Sequence, residues 1–183
     1  MPIRIARPAD AAAMRRIYAS YVRYTAFTFE YVPPSEADFL GRLLRVTAQF
    51  PWLVWEEDGE VLGYAYADSA FERRAYGFLA DLSVYLRQDV RGRGIGTKHY
   101  ALLEEILRRQ GYCRAYGIVT SENTASCRFH EALGYRRAAE FRNAGKKFGR
   151  WYGTVWFEKV LADGAPPLHF PVSWREIDCS DLL

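Results

Sequence analysis

The residues with the most chemical content lie in one stretch, Leu82-Ser83-Val84-Tyr85-Leu86 followed by Arg91-Gly92-Arg93-Gly94-Ile95-Gly96-Thr97. Glycines let backbone N–H groups crowd around phosphate oxygens, and a helix beginning near Ile95 aims its positive dipole end at the same place. Arg91, Arg93 and Lys98 add charge where a polyanion would sit. The preceding apolar run reads as a strand whose backbone can hydrogen-bond an extended, amide-bearing ligand, and pantetheine is such a ligand. Two other glycine loops are excluded. A P-loop needs Gly-Lys before Ser or Thr, whereas Gly96-Thr97-Lys98 reverses that order; a dinucleotide fingerprint needs G-x-G-x-x-G in an early βαβ unit. The bland alternative is a glycine turn that merely joins strand to helix.

A strand, loop and helix in series need neighbours to hold them. Ile3 and Ile5 alternate with Arg4 as in a short strand, and Asp10 caps a helix carrying Ala13, Ile17 and Tyr21. The aromatic stretch 24–31 ends at Pro33-Pro34, after which Ser35-x-x-Asp38 resembles a capping box before Phe39, Leu40, Leu43 and Leu44. Strands are expected over 52–56 and 60–68, joined at Asp58-Gly59, and over 76–86. Ile95, Tyr100, Leu103, Ile106 and Leu107 share a helical face that ends before Gly111. A strand over 115–119 follows, then a helix from Asn123 to Leu133 stopped by Gly134. Two last strands, 135–142 and 151–161, flank Lys146-Lys147-Phe148-Gly149. The result is a mixed α/β domain over residues 1–161. A non-regular tail over 162–183, with Ala165-Pro166-Pro167 and Pro171, is expected to lie on or near its surface.

The 183 residues suit one such domain, and an apolar fraction of 50% argues against disorder. A formal charge of +3 is too small to point to nucleic acid, and no run has the length of a membrane helix or the apolar core of a signal peptide. A cytoplasmic protein with neither nucleic-acid nor membrane partners is expected. Cys113, Cys127 and Cys179 have neither disulfide nor zinc spacing, so no metal is expected.

Arg91-x-x-Gly94-x-Gly96 after Val84-Tyr85-Leu86 resembles the coenzyme A-binding motif of GNAT acetyltransferases. Asn123-x-x-Ser126-x-x-Phe129-His130-Glu131-Ala132-Leu133-Gly134-Tyr135 resembles their second motif, in the same order. The His130 version of that motif, with Arg73-x-Ala75-Tyr76 and Lys147-Phe148-Gly149-Arg150-Trp151, is similar to the phosphinothricin and methionine sulfoximine N-acetyltransferase branch. The resemblance implies a GNAT fold, a mixed, twisted, centrally splayed sheet flanked by helices, with acetyl-coenzyme A in the cleft, and a homodimer. It also implies that Val84, Tyr85 and Leu86 border the pantetheine, with backbone groups of Val84 and Leu86 holding it. Arg91, Gly92, Arg93, Gly94, Ile95, Gly96 and Thr97 would then hold the pyrophosphate, and Asn123 and Ser126 the inner part of the coenzyme.

Direct acetyl transfer requires an uncharged amine and a proton for the departing thiolate. An α-amino group titrates near 7.7–8.0, so a modest base suffices. Asp81 stands where the resembling branch usually carries Glu and is the candidate base; the alternative is a pairing with a neighbouring arginine. His130 occupies the place of the Tyr proton donor of many GNAT enzymes and is the candidate acid; the alternative is packing within its helix. By the branch pattern Arg73 would clamp a substrate carboxylate, and Tyr76, Phe27 and Phe29 would line the acceptor pocket, although aromatic residues equally build cores. Gly77, Leu79 and Gly153 depart from that pattern. The expected activity is acetylation of the primary amine of a small amino-acid-like molecule, of the phosphinothricin or methionine sulfoximine type. A protein or peptide N-acetyltransferase, which needs an open groove, and a non-catalytic acetyl-coenzyme A sensor are the alternatives.

Overall fold

A computed structural model describes residues 2–164 and 167–183, so Ala165 and Pro166 of the expected tail lie outside the described residues. Among the described residues seven strands form one sheet: β1 (Ile3–Ile5), β2 (Trp52–Glu57), β3 (Glu60–Ser69), β4 (Leu79–Leu86), β5 (Arg114–Thr120), β6 (Arg136–Lys147) and β7 (Arg150–Val160). Their spatial order is β1-β2-β3-β4-β5-β7-β6. The same described residues form four α-helices: α1 (Ala11–Tyr24), α2 (Glu36–Val46), α3 (Ile95–Gln110) and α4 (Thr124–Ala132).

Every pairing is antiparallel except β4 with β5, because α3 crosses between them and returns the chain in the same direction. That parallel pair spans only Leu79–Asp81 against Arg114–Tyr116. Beyond it β4 continues to Leu86 and β5 to Thr120 unpaired with each other, which opens the sheet at its middle.

Side chains alternate along β4, so Asp81, Ser83 and Tyr85 share one face and Leu82, Val84 and Leu86 the other. On the first face Tyr18 and Tyr21 of α1 meet Tyr85 edge-on at 5.0 and 5.2 Å, and Phe39 of α2 lies 6.2 Å from Tyr18. On the second face α3 lies close, because Ala65, Ala67 and Ala80 offer fully buried small side chains beneath Leu103 and Leu107.

The expected elements occur, with three differences. β4 starts at Leu79 rather than at 76, because Arg74–Tyr76 forms a 3-10 turn that closes on Gly77. β6 runs to Lys147 rather than stopping at 142, through register shifts between Arg137 and Ala139 and between Phe141 and Gly145; Asn143 takes φ +53 in the second. The tail also contains a 3-10 turn, Trp174–Glu176, and makes specific contacts. The Trp174 indole N–H donates to the Thr47 carbonyl at 3.0 Å, Val172 N–H donates to the Gln110 carbonyl at 3.0 Å, and Phe170 stacks on Phe78 at 4.8 Å. Among the described residues no helix is long and apolar enough to cross a membrane.

Candidate active site

The opening of the sheet determines which backbone groups are free. Arg87 N–H bonds the Leu62 carbonyl and Ala70 N–H the Leu79 carbonyl, so odd-numbered residues of β4 bond β3 and even-numbered ones face β5. Past Asp81 there is no β5 partner, and side chains take some of those places. Tyr100 hydroxyl lies 3.1 Å from the Leu82 carbonyl. Tyr21 hydroxyl donates to the Leu86 carbonyl at 2.7 Å and accepts from Leu86 N–H at 3.3 Å. Val84 is left with its N–H and C=O toward the gap, met by no side chain among the described residues. Of the two residues expected to hold an amide-bearing ligand through backbone groups, Val84 is free to do so and Leu86 is already engaged.

A cleft of about 540 Å³ follows on the α3 side, lined by Val84, Leu86, Arg91, Gly92, Gly94, Ile95, Gly96, Thr97, Asn123 and Ser126. Gly94 caps α3 at φ +75, a left-handed conformation that side chains resist, and it leaves the first N–H groups of the helix uncovered. A Cβ on Gly96 would lie 3.2 Å from the Phe129 ring, so glycine lets α3 and α4 approach across the cleft. Arg91 leans over Tyr21, its guanidinium 5.6 Å from the ring and 3.3 Å from the hydroxyl. Arg93 is engaged by Glu57, whose two oxygens hold it at 2.7 and 2.8 Å, because the β2–β3 hairpin brings an acid within reach. Lys98 likewise sits over Trp55 at 5.2 Å.

A second space of about 70 Å³ lies within the gap and shares Phe27, Val84, Asn123 and Ser126 with the cleft. Ser83, Tyr85, Tyr100, Thr120 and His130 close it. His130 is buried, stacked on Phe157 at 5.2 Å, and packs so tightly on β5 that a Cβ at Gly117 would come within 2.3 Å of Nε2. Its Nδ1 lies 2.8 Å from the Ser126 carbonyl, which fixes the hydrogen on Nδ1 and leaves Nε2 an acceptor 3.1 Å from the Tyr100 hydroxyl. Burial pushes the imidazole below its ordinary range, only partly offset by the bond to Ser126. At neutral pH His130 carries no spare proton, and the group it presents to the gap is the hydroxyl it helps to hold.

Asp81 points to the opposite face, across from Asp68 on β3 and beside Tyr116 on β5. Its Oδ1 is shielded from water and has no hydrogen-bond partner among the described residues. Loss of water, then the charge of Asp68, raises the carboxyl to about 7, against a smaller opposing pull from Leu82 N–H. The arginine pairing that would have made Asp81 structural is not found among the described residues. Arg45 instead grips Asp68 at 2.6 and 3.1 Å. Next to Asp68 a space of about 80 Å³ is bounded by Tyr18, Tyr66 and a second pair, Arg42 with Glu30 at 2.6 Å. Sequence reading missed this ring of charges. Its one local signal is Arg42 and Arg45 three apart on a helix otherwise patterned for the core.

The remaining expected residues are scattered. Phe27 lines both cleft and gap. Phe29 instead packs on β6, where a Cβ at Gly145 would lie 2.3 Å from its ring. Arg73 and Tyr76 sit at the exposed 3-10 turn and line none of the three spaces; Tyr76 meets Phe71 at 4.8 Å, and Phe71 meets Tyr116 at 6.3 Å. Gly153, one of the departures from the branch pattern, has a packing reason: a Cβ there would come 2.5 Å from Ser121 Oγ.

Residues 3–156 match the acetyltransferase (GNAT) domain family. A phosphinothricin N-acetyltransferase of Alcaligenes faecalis is 39% identical over 166 residues, covering 88% of this chain and 83% of that one. An L-methionine sulfoximine/L-methionine sulfone acetyltransferase of Salmonella typhimurium is 33% identical over 171 residues, covering 91% and 98%. Among solved structures, a GNAT superfamily phosphinothricin acetyltransferase from Sinorhizobium meliloti in complex with AcCoA superimposes with a TM-score of 0.88 at 31% identity, covering 93% of this chain and 96% of that one.

Proposed function

The chain belongs to the GNAT acetyltransferases and is an N-acetyltransferase; from that premise we propose that it acetylates the primary amine of a small amino-acid-like molecule, of the phosphinothricin or methionine sulfoximine type. The observation that carries this reading is Asp81, a carboxylate without a counterion, raised to about 7 and set on the face opposite the coenzyme residues. Bound acetyl-coenzyme A supplies the activated acetyl group. Val84 offers its backbone to the pantetheine amides, and Arg91 with the N-terminus of α3 neutralises the pyrophosphate.

Asp81, ionised at the pH of the reaction, accepts the proton that the amine loses on attacking the acetyl carbon. It releases that proton afterwards, since its carboxyl titrates near neutrality. Tyr100, whose single hydroxyl hydrogen goes to the Leu82 carbonyl or to His130 Nε2, closes the gap beside the thioester, and the sulfur takes up a proton from water as the C–S bond breaks. His130 acts in this scheme through Tyr100 rather than as the acid itself. The charged ring of Glu30, Arg42, Arg45 and Asp68 suits a zwitterionic acceptor better than an extended peptide. We also place the enzyme in the cytoplasm as a homodimer, paired through the face of β5, β7 and β6 where Ile118 and Phe141 are exposed.

Thiol release over a panel of amino acids, their decarboxylated analogues, polyamines and peptides tests the reading. Turnover is expected for amino-acid-like amines, including phosphinothricin and methionine sulfoximine. Turnover of peptides alone would favour a protein acetyltransferase, and tight coenzyme binding with no turnover would favour a sensor.

A further inference from the structure

Lys147 ends β6 with its side chain only 2% exposed. A buried ammonium is costly unless hydrogen-bonded. Here Nζ donates to the carbonyls of Thr25 and Thr28, each at 2.8 Å, and lies 5.1 Å from the Phe148 ring. Phe148 itself takes a left-handed φ of +48 at the β6–β7 turn, a conformation unfavourable for a bulky residue. Both acceptors belong to the stretch that leaves α1, so a lysine from the far edge of the sheet holds a loop from the opposite side of the gap.

Other contacts converge on the same loop. Thr120 Oγ1, at the end of β5, donates to the Ala26 carbonyl at 2.7 Å. Phe29 fits against Gly145, and Tyr31 hydroxyl donates to the Lys146 carbonyl. Between these anchors Phe27 lines both the coenzyme cleft and the gap, while Glu30 accepts from Tyr18 at 2.9 Å and holds Arg42. The sheet hydrogen bonds joining β4 to β5 stop at Asp81 and Tyr116, so they do not set the width of the gap at its other end. The loop crosses that end.

We propose that Lys147 is a positioning residue for acetyl transfer: it latches the 25–31 loop across the open end of the gap and so fixes Phe27 against the place of the thioester. The proposal rests on the reading of the cleft as the coenzyme site.

Lys147→Met keeps the length and removes the donors. Its effect on kcat/KM for acetyl-coenzyme A is to be measured alone and together with Phe27→Ala, with amide hydrogen exchange over 25–31 as a second readout. The single substitution is expected to lower kcat/KM about 10²-fold, as a misplacement of about 1 Å does, and to speed exchange in that loop. In the Phe27→Ala background the same substitution should cost only about 3-fold, because the group it positions is gone. Multiplicative losses with unchanged loop exchange would overturn the proposal. If Lys147→Met does not fold, Thr120→Val replaces it in the cycle and is judged by the same criterion. Failure of the unaltered protein to bind acetyl-coenzyme A would instead sink the reading of the cleft.

Discussion

The two sides of the opened sheet solve different problems with different materials. On the proposed coenzyme side the groups on offer are largely backbone: Val84 facing the gap, glycines that expose N–H groups, and the first turn of α3, with the flexible cation Arg91 leaning in. On the proposed acceptor side they are side chains from four separate elements, Glu30 before α2, Arg42 and Arg45 on α2, Asp68 on β3 and Asp81 on β4. Backbone recognition needs an exact local conformation and tolerates change elsewhere. Side-chain recognition depends on which charges lose water and which find partners. The first side should respond to mutation mainly in coenzyme affinity, and the second in chemistry, pH dependence and acceptor KM.

The largest effect belongs to Asp81. Asp81→Asn retains size and loses the base, so kcat should fall by about 10²–10⁴-fold. The unaltered enzyme should show an acid limb near pH 7, where the carboxyl ionises, and the variant should lack it. Stability carries the opposite sign. A carboxyl raised above its unfolded value favours the fold most at acid pH, below about 4, and that contribution is lost as pH rises through about 7. Asp81→Asn has no such loss, so its melting temperature should gain on that of the unaltered protein between pH 5 and pH 8. A constant difference across that range would mean that Asp81 keeps an ordinary pKa, and the contrast between the two sides would lose its chemical basis.

On the coenzyme side, Arg91→Ala should weaken acetyl-coenzyme A binding about 10–100-fold, the worth of one hydrogen bond to a charged group, with little change in melting temperature. Arg93→Ala is the control, since Glu57 already holds that guanidinium; its affinity should stay within about 3-fold of the unaltered protein. Calorimetry decides both. Equal losses for the two arginines would show that diffuse charge, rather than one directed group, draws the coenzyme in.

The same division explains what the sequence made legible. The strand, glycine loop and helix occupy contiguous residues, so their spacing alone encodes the geometry, and the structure has them in that order, with the Asn123 cap after β5 and the strand starting at Leu79. The Arg93 ion pair was not legible because its partner, Glu57, lies on a hairpin that spacing does not bring near. Asp81 stood out as a candidate, but its lack of a counterion depends on Arg45 choosing Asp68, a fact of packing between α2 and β3. Arg73 and Tyr76 carried the branch pattern yet lie at an exposed turn and line none of the three spaces, and neither does Asp81. The end of β6 was placed too early because a bulge at Asn143 interrupts alternation without ending the strand.

The smallest expected effect tests whether the tail belongs to the acceptor side. Phe170 stacks on Phe78 at an interplanar angle of 17° and lies under Arg74 at 4.7 Å, so the tail presses on the segment that leads directly into Leu79–Asp81. Gly77 makes room for it. A Cβ there would lie 3.1 Å from the Phe170 ring and 3.0 Å from the Arg74 carbonyl, which gives a physical reason for glycine at a position where Arg or Asp is common in the branch pattern. Phe170→Ala removes one aromatic pair and one cation–π contact at a part-exposed site, about 1–2 kcal/mol together. For a chain of this size the melting temperature should drop by roughly 3–6 °C. If the tail only adds stability, kinetic constants will not move. If it steadies the start of β4, acceptor KM should rise about 2–5-fold, as expected for a loss of that size spread over positioning, while KM for acetyl-coenzyme A stays constant. Gly77→Arg should produce the same pattern by displacing Phe170, and combining it with Phe170→Ala should add little, because one contact is being removed twice. Additive losses would separate the glycine from the tail and confine the acceptor side to Asp81 and the charged ring beside Asp68.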